Sequence, residues 1–441
     1  MDWREYYSSR MVSPEEAVKV INSGDRVIFS SGRQPLALGL ALAARKEEVR
    51  DVKILVGTPD RDFGWYDPGW EESFNVTIGF GMPLVTQMLA ERRSDVSVNA
   101  FAPGERFPKL TPDEKDILMI ELSEPDEHGF CSFGQSVWNK KEQIEHADVV
   151  LAEINKLLIR TAGDNWVHVS ELDYFVEHTP SERREPGTAD LRGATAAEPP
   201  REVKAIADNI ASLIRDGDTL EIGVGLTTEP LGRLGVLDNK LDLGYHSEHT
   251  PRGIIKLIME GVINGKRKTI NTGKAVATAL GGTREELTFA QMNPLIELRH
   301  VNYTNDVRTI AQHDNMVAIN NALSVDLTGQ ISAESIGTRM FGGTGGQLAF
   351  AIGAALSRGG RTITALPSTA KGGAVSRIVP LLELGTVVTV PRSVTDCVVT
   401  EYGIARLRGK TQRQRTEEII AIAHPDFRPE LRAAANKLYY P

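Results

Sequence analysis

Residues 15–32 read EEAVKVINSGDRVIFSSG, and residues 208–225 read DNIASLIRDGDTLEIGVG. The two align without gaps, so that Gly24 falls on Gly217, Asp25 on Asp218 and Gly32 on Gly225, each 193 positions apart. Each copy reads as the end of an amphipathic helix, a Gly-Asp turn, a short β-rich strand and a glycine loop, with a proline soon after (Pro35, Pro230). A duplication of this kind gives the chain two halves of similar architecture.

Working outward from the copies, 52–56, 117–122, 149–154, 362–366 and 387–390 are short apolar runs that read as buried strands. Residues 201–215, 253–261 and 348–357 read as helices between them. Such alternation predicts an α/β fold, with two similar Rossmann-like parallel-sheet halves and helices on both sheet faces. Residues 178–200, HTPSERREPGTADLRGATAAEPP, lack apolar periodicity and read as a connection. The expected division is a first half at 1–185, a linker at 186–200 and a second half at 201–441. Ligands of parallel sheets sit at the carboxyl ends of strands, where the glycine loops fall.

Of the 441 residues, 41% are hydrophobic and 25% charged, which excludes a disordered or collagen-like chain. Lys and Arg number 50 against 59 Asp and Glu, a net charge of −9, so no nucleic-acid partner is expected. A local basic pocket for a small phosphorylated ligand stays open. Cys131 and Cys397 are too few for a disulfide scaffold and lack zinc-site spacing, which points to a reducing, cytoplasmic compartment. The start, MDWRE, is acidic where a signal peptide is basic, and the apolar segment 36–44 is shorter than a membrane span. No membrane partner is expected.

Three segments carry chemistry. GVGLTTEP at 223–230 follows a strand and aims backbone N–H groups at an anion, but it lacks the third glycine of a dinucleotide fingerprint. DLGYHSEH at 242–249 is a polar cluster that reads as a loop; its two histidines are not spaced as a helical metal motif, and no metal is expected. FGGTGGQ at 341–347 is too glycine-rich for a helix or strand interior and precedes a helix, which suits close contact with a ligand. Lys371, beside two glycines in LPSTAKGG at 366–373, is a candidate phosphate contact or an exposed side chain.

Taken in order, PDEHG at 125–129, CS at 131–132, HVSELDYFVE at 168–177 and HSE at 246–248 resemble the acetyl-CoA hydrolase/CoA-transferase family. So do GVINGKRK at 261–268, VDLTGQ at 325–330, AESIGTR at 333–339, LPSTAKGG at 366–373, VVTEYG at 398–403 and AHPDF at 423–427. The resemblance covers nearly the whole chain and is strongest to the branch of butyryl-CoA:acetate and 4-hydroxybutyrate CoA-transferases. It implies the CoA-transferase fold, with the active site in the cleft between the halves, and a homodimer or higher homo-oligomer. The implied function is transfer of CoA between a short-chain acyl-CoA and a carboxylic acid such as acetate, butyrate or 4-hydroxybutyrate. The alternatives are an acyl-CoA hydrolase and a non-catalytic ligand-binding protein of the same fold.

The resemblance further implies that Glu248 is the nucleophile, acting through an acyl-glutamyl anhydride and a glutamyl-CoA thioester with no cofactor beyond CoA as substrate. Its carboxylate is expected to be ionised near neutral pH. By analogy, the N–H of Val224 and the glycine run at Gly343 supply oxyanion donors, each worth roughly 10²–10³ in rate. CoA is expected along Gly223, Val224, Gly225, Leu226 and Thr227, along Gly343, Gly345 and Gly346, and against Asn320 and Lys371. Three loops depart from the family's usual residues, which predicts a shifted acid specificity set by Arg33, Gln34, Thr228 and His249.

Overall fold

The computed structural model describes residues 2–98, 114–179 and 198–440. The first sheet has seven parallel strands in the order Tyr174–Glu177, Val149–Ile154, Asp116–Leu122, Arg26–Phe29, Val52–Val56, Phe74–Ile78 and Asp95–Val96. The second has nine, in the order Gly403–Arg406, Cys397–Thr400, Arg361–Ala365, Met316–Asn321, Thr219–Ile222, Gly244–Thr250, Ala275–Leu280, Ile296–Leu298 and Ala162–Gly163. Only the edge strand Gly403–Arg406 runs antiparallel to its neighbour.

The repeated stretches occupy equivalent places. Arg26–Phe29 and Thr219–Ile222 each lie between the next strand in sequence and the strand that returns after two further strands of the same sheet. Asp25 accepts from the Asn22 N–H at 2.7 Å and Asp218 from the Arg215 N–H at 2.6 Å, so the same carboxylate closes the same turn twice. Gly24 and Gly217 hold φ of 84° and 81° in those turns, a backbone conformation that favours glycine.

Helices form where the apolar stripe demands. Arg201–Leu213 buries Val203, Ile206, Ala207, Ile210 and Leu213, a 3.6-residue period, and each of the Val, Ile and Leu side chains contributes about 1.5–3 kcal/mol. Gln347–Leu356 follows the glycine run as expected. Expected residues 387–390 do not form a strand: Val387 and Val388 are half-exposed, and the segment is pinned instead by Val387 N–H on Ser335 Oγ and by Val390 bridging Ile331. Its β-branched run is a covering loop rather than a sheet interior. The expected linker falls mostly on 186–197, outside the described residues.

The halves are joined by backbone as well as by packing. Ala162–Gly163 pairs with Ile296–Leu298 in the second sheet. Leu280 N–H donates to Gln135 O and Val137 N–H to Thr278 O, laying 135–137 along the carboxyl end of Ala275–Leu280. One apolar cluster runs from Leu118 and Ile120 of the first sheet to Leu220 and Ile222 of the second. Among the described residues no helix is long and apolar enough to cross a membrane.

Candidate active site

The polar cluster expected as a loop is the strand Gly244–Thr250, central in the second sheet. Alternation places Tyr245, Ser247 and His249 on one face, and His246 and Glu248 on the other. Ser247 pairs with Ala277 and His249 with Ala279, which sets Glu248 level with Thr278. A polar row grows from this level: Thr278 Oγ1 and Thr304 Oγ1 share a hydrogen bond, Thr304 Oγ1 contacts Asn305 Oδ1 at 3.3 Å, and Asn305 Nδ2 donates to Glu248 Oε2 at 2.6 Å.

Glu248 is half-buried, and protein surrounds its carboxyl closely enough for burial to push it up to about 7. The Asn305 amide and the Gly346 N–H oppose that rise, because both bond the ionised form. Burial thus works against the full ionisation expected near neutral pH. Gly346 directly precedes the helix Gln347–Leu356, so the carboxylate also lies at a helix N-terminus. A Cβ on Gly346 would collide with both the carboxylate and the Asn305 amide. His246, with Nε2 bonded to Thr304 O at 2.9 Å, is held neutral by burial, down to about 3.

Around Glu248 the two glycine segments converge. Gly223 N–H donates to Ile319 O, Thr228 Oγ1 donates to Gly223 O, and Asn321 Oδ1 accepts from the N–H groups of Thr227 and Thr228 at 3.2 Å. The loop is thereby rigid, while Val224 and Leu226 stand 57% and 84% exposed from it. In the other segment Gly343 packs against Gly79 O and Phe80, and Gly342 O lies against Gly81, so the run is wedged between Glu248 and a first-half loop. Among the described residues, the N–H groups of Val224, Gly343 and Gly345 have no protein acceptor. Beside the run opens a mostly apolar pocket of about 350 Å³, lined by Val96, Met340, Gly345, Leu348, Val387 and Val388 among others.

The remaining expected residues are distributed less evenly. Asn320 is at hand, but its Nδ2 donates to the buried Glu221 at 2.8 Å. Lys371 is exposed on the turn between Thr369–Ala370 and Val375–Ser376. Arg33 gives Nε and Nη2 to Glu121 at 2.6 and 3.3 Å. Gln34 is fully buried and accepts from the N–H groups of Asp60 and Arg61, stapling that loop. Thr228 is likewise consumed by loop closure, and His249 projects from the face opposite Glu248, its ring beside Gly281. The helix N-terminus after the first-half loop is filled from within: Leu36 and Leu38 N–H both donate to Glu153 at 3.0 Å, leaving no room there for an external phosphate. Sequence reasoning missed Asn305, Asn321, Glu221 and the first-half loop at Gly79 to Gly81; none carries a local signal.

This arrangement, a glutamate at a helix N-terminus between two glycine loops, can be set beside known proteins. Family models described as acetyl-CoA hydrolase/transferase N-terminal domain and C-terminal domain match residues 103–181 and 282–435. The 4-hydroxybutyrate coenzyme A transferase of Clostridium kluyveri is 40% identical over 437 residues, 98% of each chain. The chain belongs to the acetyl-CoA hydrolase/transferase family. A second member, the butyryl-CoA:acetate CoA-transferase of Anaerostipes caccae, is 35% identical over 99% of this chain and 98% of its own. RipA from Yersinia pestis, 31% identical, superposes over 100% of both chains with a TM-score of 0.87. Full-length relatives in the family carry CoA-transferase names, and this chain is an enzyme of that type.

Proposed function

We propose that the enzyme moves CoA between a short-chain acyl-CoA and a carboxylic acid by a relay through Glu248. The observation that carries this is a half-buried carboxylate at a helix N-terminus, bonded by Asn305 and Gly346 and flanked by unused N–H groups. Burial favours uncharged covalent forms of Glu248 over its anion and raises its basicity, and both effects suit a nucleophile.

In the relay a Glu248 oxygen attacks the thioester carbonyl, and the oxyanion takes N–H bonds from Val224 and the 343–345 run. The C–S bond breaks, CoA leaves as thiolate and an acyl-glutamyl anhydride remains. The thiolate then attacks the glutamyl carbonyl, expelling the first carboxylate and leaving a glutamyl-CoA thioester. An incoming acid reverses both steps, so one carboxylate enters, one leaves and no water is consumed. CoA runs along 223–227, with the exposed Val224 and Leu226 against its pantetheine arm, and the apolar pocket receives the acyl chain. We further propose a homodimer with CoA as the only carrier molecule, which light scattering on the purified chain checks.

The test is the intact mass of the chain after exposure to butyryl-CoA without an acid acceptor. A CoA adduct on the wild type, absent from Glu248→Ala, is expected, together with loss of transfer to acetate in that variant. Transfer surviving in purified Glu248→Ala would overturn the relay. Thiol release indifferent to added acid would make the protein a hydrolase instead.

A further inference from the structure

Between Glu248 and Asn320 the same sheet face carries a second acid that the relay does not use. Glu221 is the third residue of Thr219–Ile222, the strand lying between those of Glu248 and Asn320. Glu221 pairs with Ala318, two positions before Asn320, and Leu220 pairs with Tyr245, which sets Glu221 level with His246, two positions before Glu248. Alternation then turns all three side chains to one face. Glu221 is 3% exposed, and no Lys, Arg or His among the described residues forms an ion pair with it. Its Oε2 accepts the Asn320 Nδ2–H at 2.8 Å. The Asn320 Oδ1 lies where a Cβ on Gly223 would be, so this amide crosses the base of the loop that presents Val224.

A buried carboxylate without a cation is disfavoured against its acid. The surrounding groups supply no cation. Strand Gly244–Thr250 turns His246 and Glu248 to this face; His246 is neutral, and so is His313, whose ring is 4.5 Å from it. Tyr245, on the opposite face of that strand, is held in its neutral phenol form by burial. Lys268 gives its Nζ to the carbonyls of Tyr245 and Lys274, and burial brings it down to about 7, so it too loses its charge toward alkaline pH. Strand Met316–Asn321 and helix Gln347–Leu356 carry no ionisable side chain. Burial first, and the Glu248 carboxylate second, push Glu221 well above the ordinary carboxylate range.

We propose that Glu221 is a positioning residue of the transfer site, holding Asn320 across the glycine loop as an uncharged carboxylic acid, so that Glu248 alone ionises on this face during turnover. The proposal rests on the relay reading. Ionising Glu221 at alkaline pH puts a second negative charge where a carboxylate substrate and an oxyanion must be accommodated, and activity falls.

The experiment compares wild type, Glu221→Gln, Glu221→Ala, Asn320→Ala and the double alanine variant in transfer from butyryl-CoA to acetate, as kcat and KM across neutral to alkaline pH. Glu221→Gln keeps the hydrogen bond without an ionisable proton, so activity within about threefold of wild type and loss of the alkaline decline are expected. The two alanine variants are each expected to lose about tenfold in kcat/KM, and the double variant no more than either, because the pair acts as one unit. Infrared spectroscopy of the ligand-free protein at mildly alkaline pH reads the state directly: the carbonyl band of a protonated carboxylic acid is expected in wild type and in Glu248→Gln, and not in Glu221→Gln. An alkaline decline that persists in Glu221→Gln, a glutamine variant as impaired as the alanine one, or a missing band overturns the proposal. A wild type that transfers no CoA to acetate defeats the relay reading, while the infrared band still decides the state of Glu221.

Discussion

Asn305 stands 57 positions after Glu248 in the chain, yet its Nδ2 lies 2.6 Å from the carboxylate and is itself braced by Thr304. A hydrogen bond to a charged group contributes about 1.5–3 kcal/mol, and one pKa unit corresponds to about 1.4 kcal/mol. Removing the amide therefore raises Glu248 further. In Asn305→Ala the rising limb of kcat/KM against pH, expected near 7 in the wild type, is expected to move up by about one to two units. A limb that stays in place while the rate falls uniformly would mean that Asn305 does not act on the carboxylate. Nothing near Asn305 in the sequence marks it, because its role exists only where the turn after Val301–Thr304 meets a strand that is distant in sequence. Glu248 is legible only through the family resemblance; on local pattern alone it is one more glutamate in a polar stretch.

The elements divide along the same line. Strands 117–122 and 149–154 are legible because both of their faces are buried and each run is apolar but for one glutamate, and 52–56 because only Lys53 breaks its apolar run. Gly244–Thr250 is not, since GYHSEHT places polar side chains on a cleft that periodicity takes for solvent. Val387 and Val388 fail in the opposite sense: β-branched residues that look like a buried strand but form one wall of the pocket beside Gly345. That wall is the element expected to set acyl length. Each buried CH₂ contributes about 0.8 kcal/mol, about fourfold in affinity. Val388→Trp should thus lower kcat/KM for hexanoyl-CoA by well over tenfold while acetyl-CoA changes within about threefold. Equal losses for the two thioesters would remove the pocket from acyl recognition and return that role to the loops around Arg33 and His249.

At the scale of the whole molecule, the two halves that carry the matching stretches 15–32 and 208–225 have unequal duties. In the first, the carboxylates Glu121 and Glu153 are spent on Arg33 and on the helix Leu36–Ala44. The second leaves Glu248 without a cation, and stability records the difference. A carboxyl whose folded pKa lies above its unfolded value binds its proton more tightly in the native state, so its contribution is full below the unfolded value and is lost as pH rises. For Glu248 that window runs from about 4.5 to about 7. The shift corresponds to about 3 kcal/mol at the upper end, before any discount for solvent reaching a half-buried group. Glu248→Gln removes the penalty, so its Tm should match wild type at pH 5 and exceed it by several degrees at pH 8, in an enzyme that no longer transfers CoA. His246 works with the opposite sign: burial depresses its pKa to about 3, so its share is present above about 6.5 and is lost as pH falls. Because His246 is unchanged in the variant, the acid side of the two stability curves should coincide and only the neutral-to-alkaline side should separate. Curves that run parallel at every pH would show that Glu248 carries no stored electrostatic cost, and the pH dependence of turnover would then need another source.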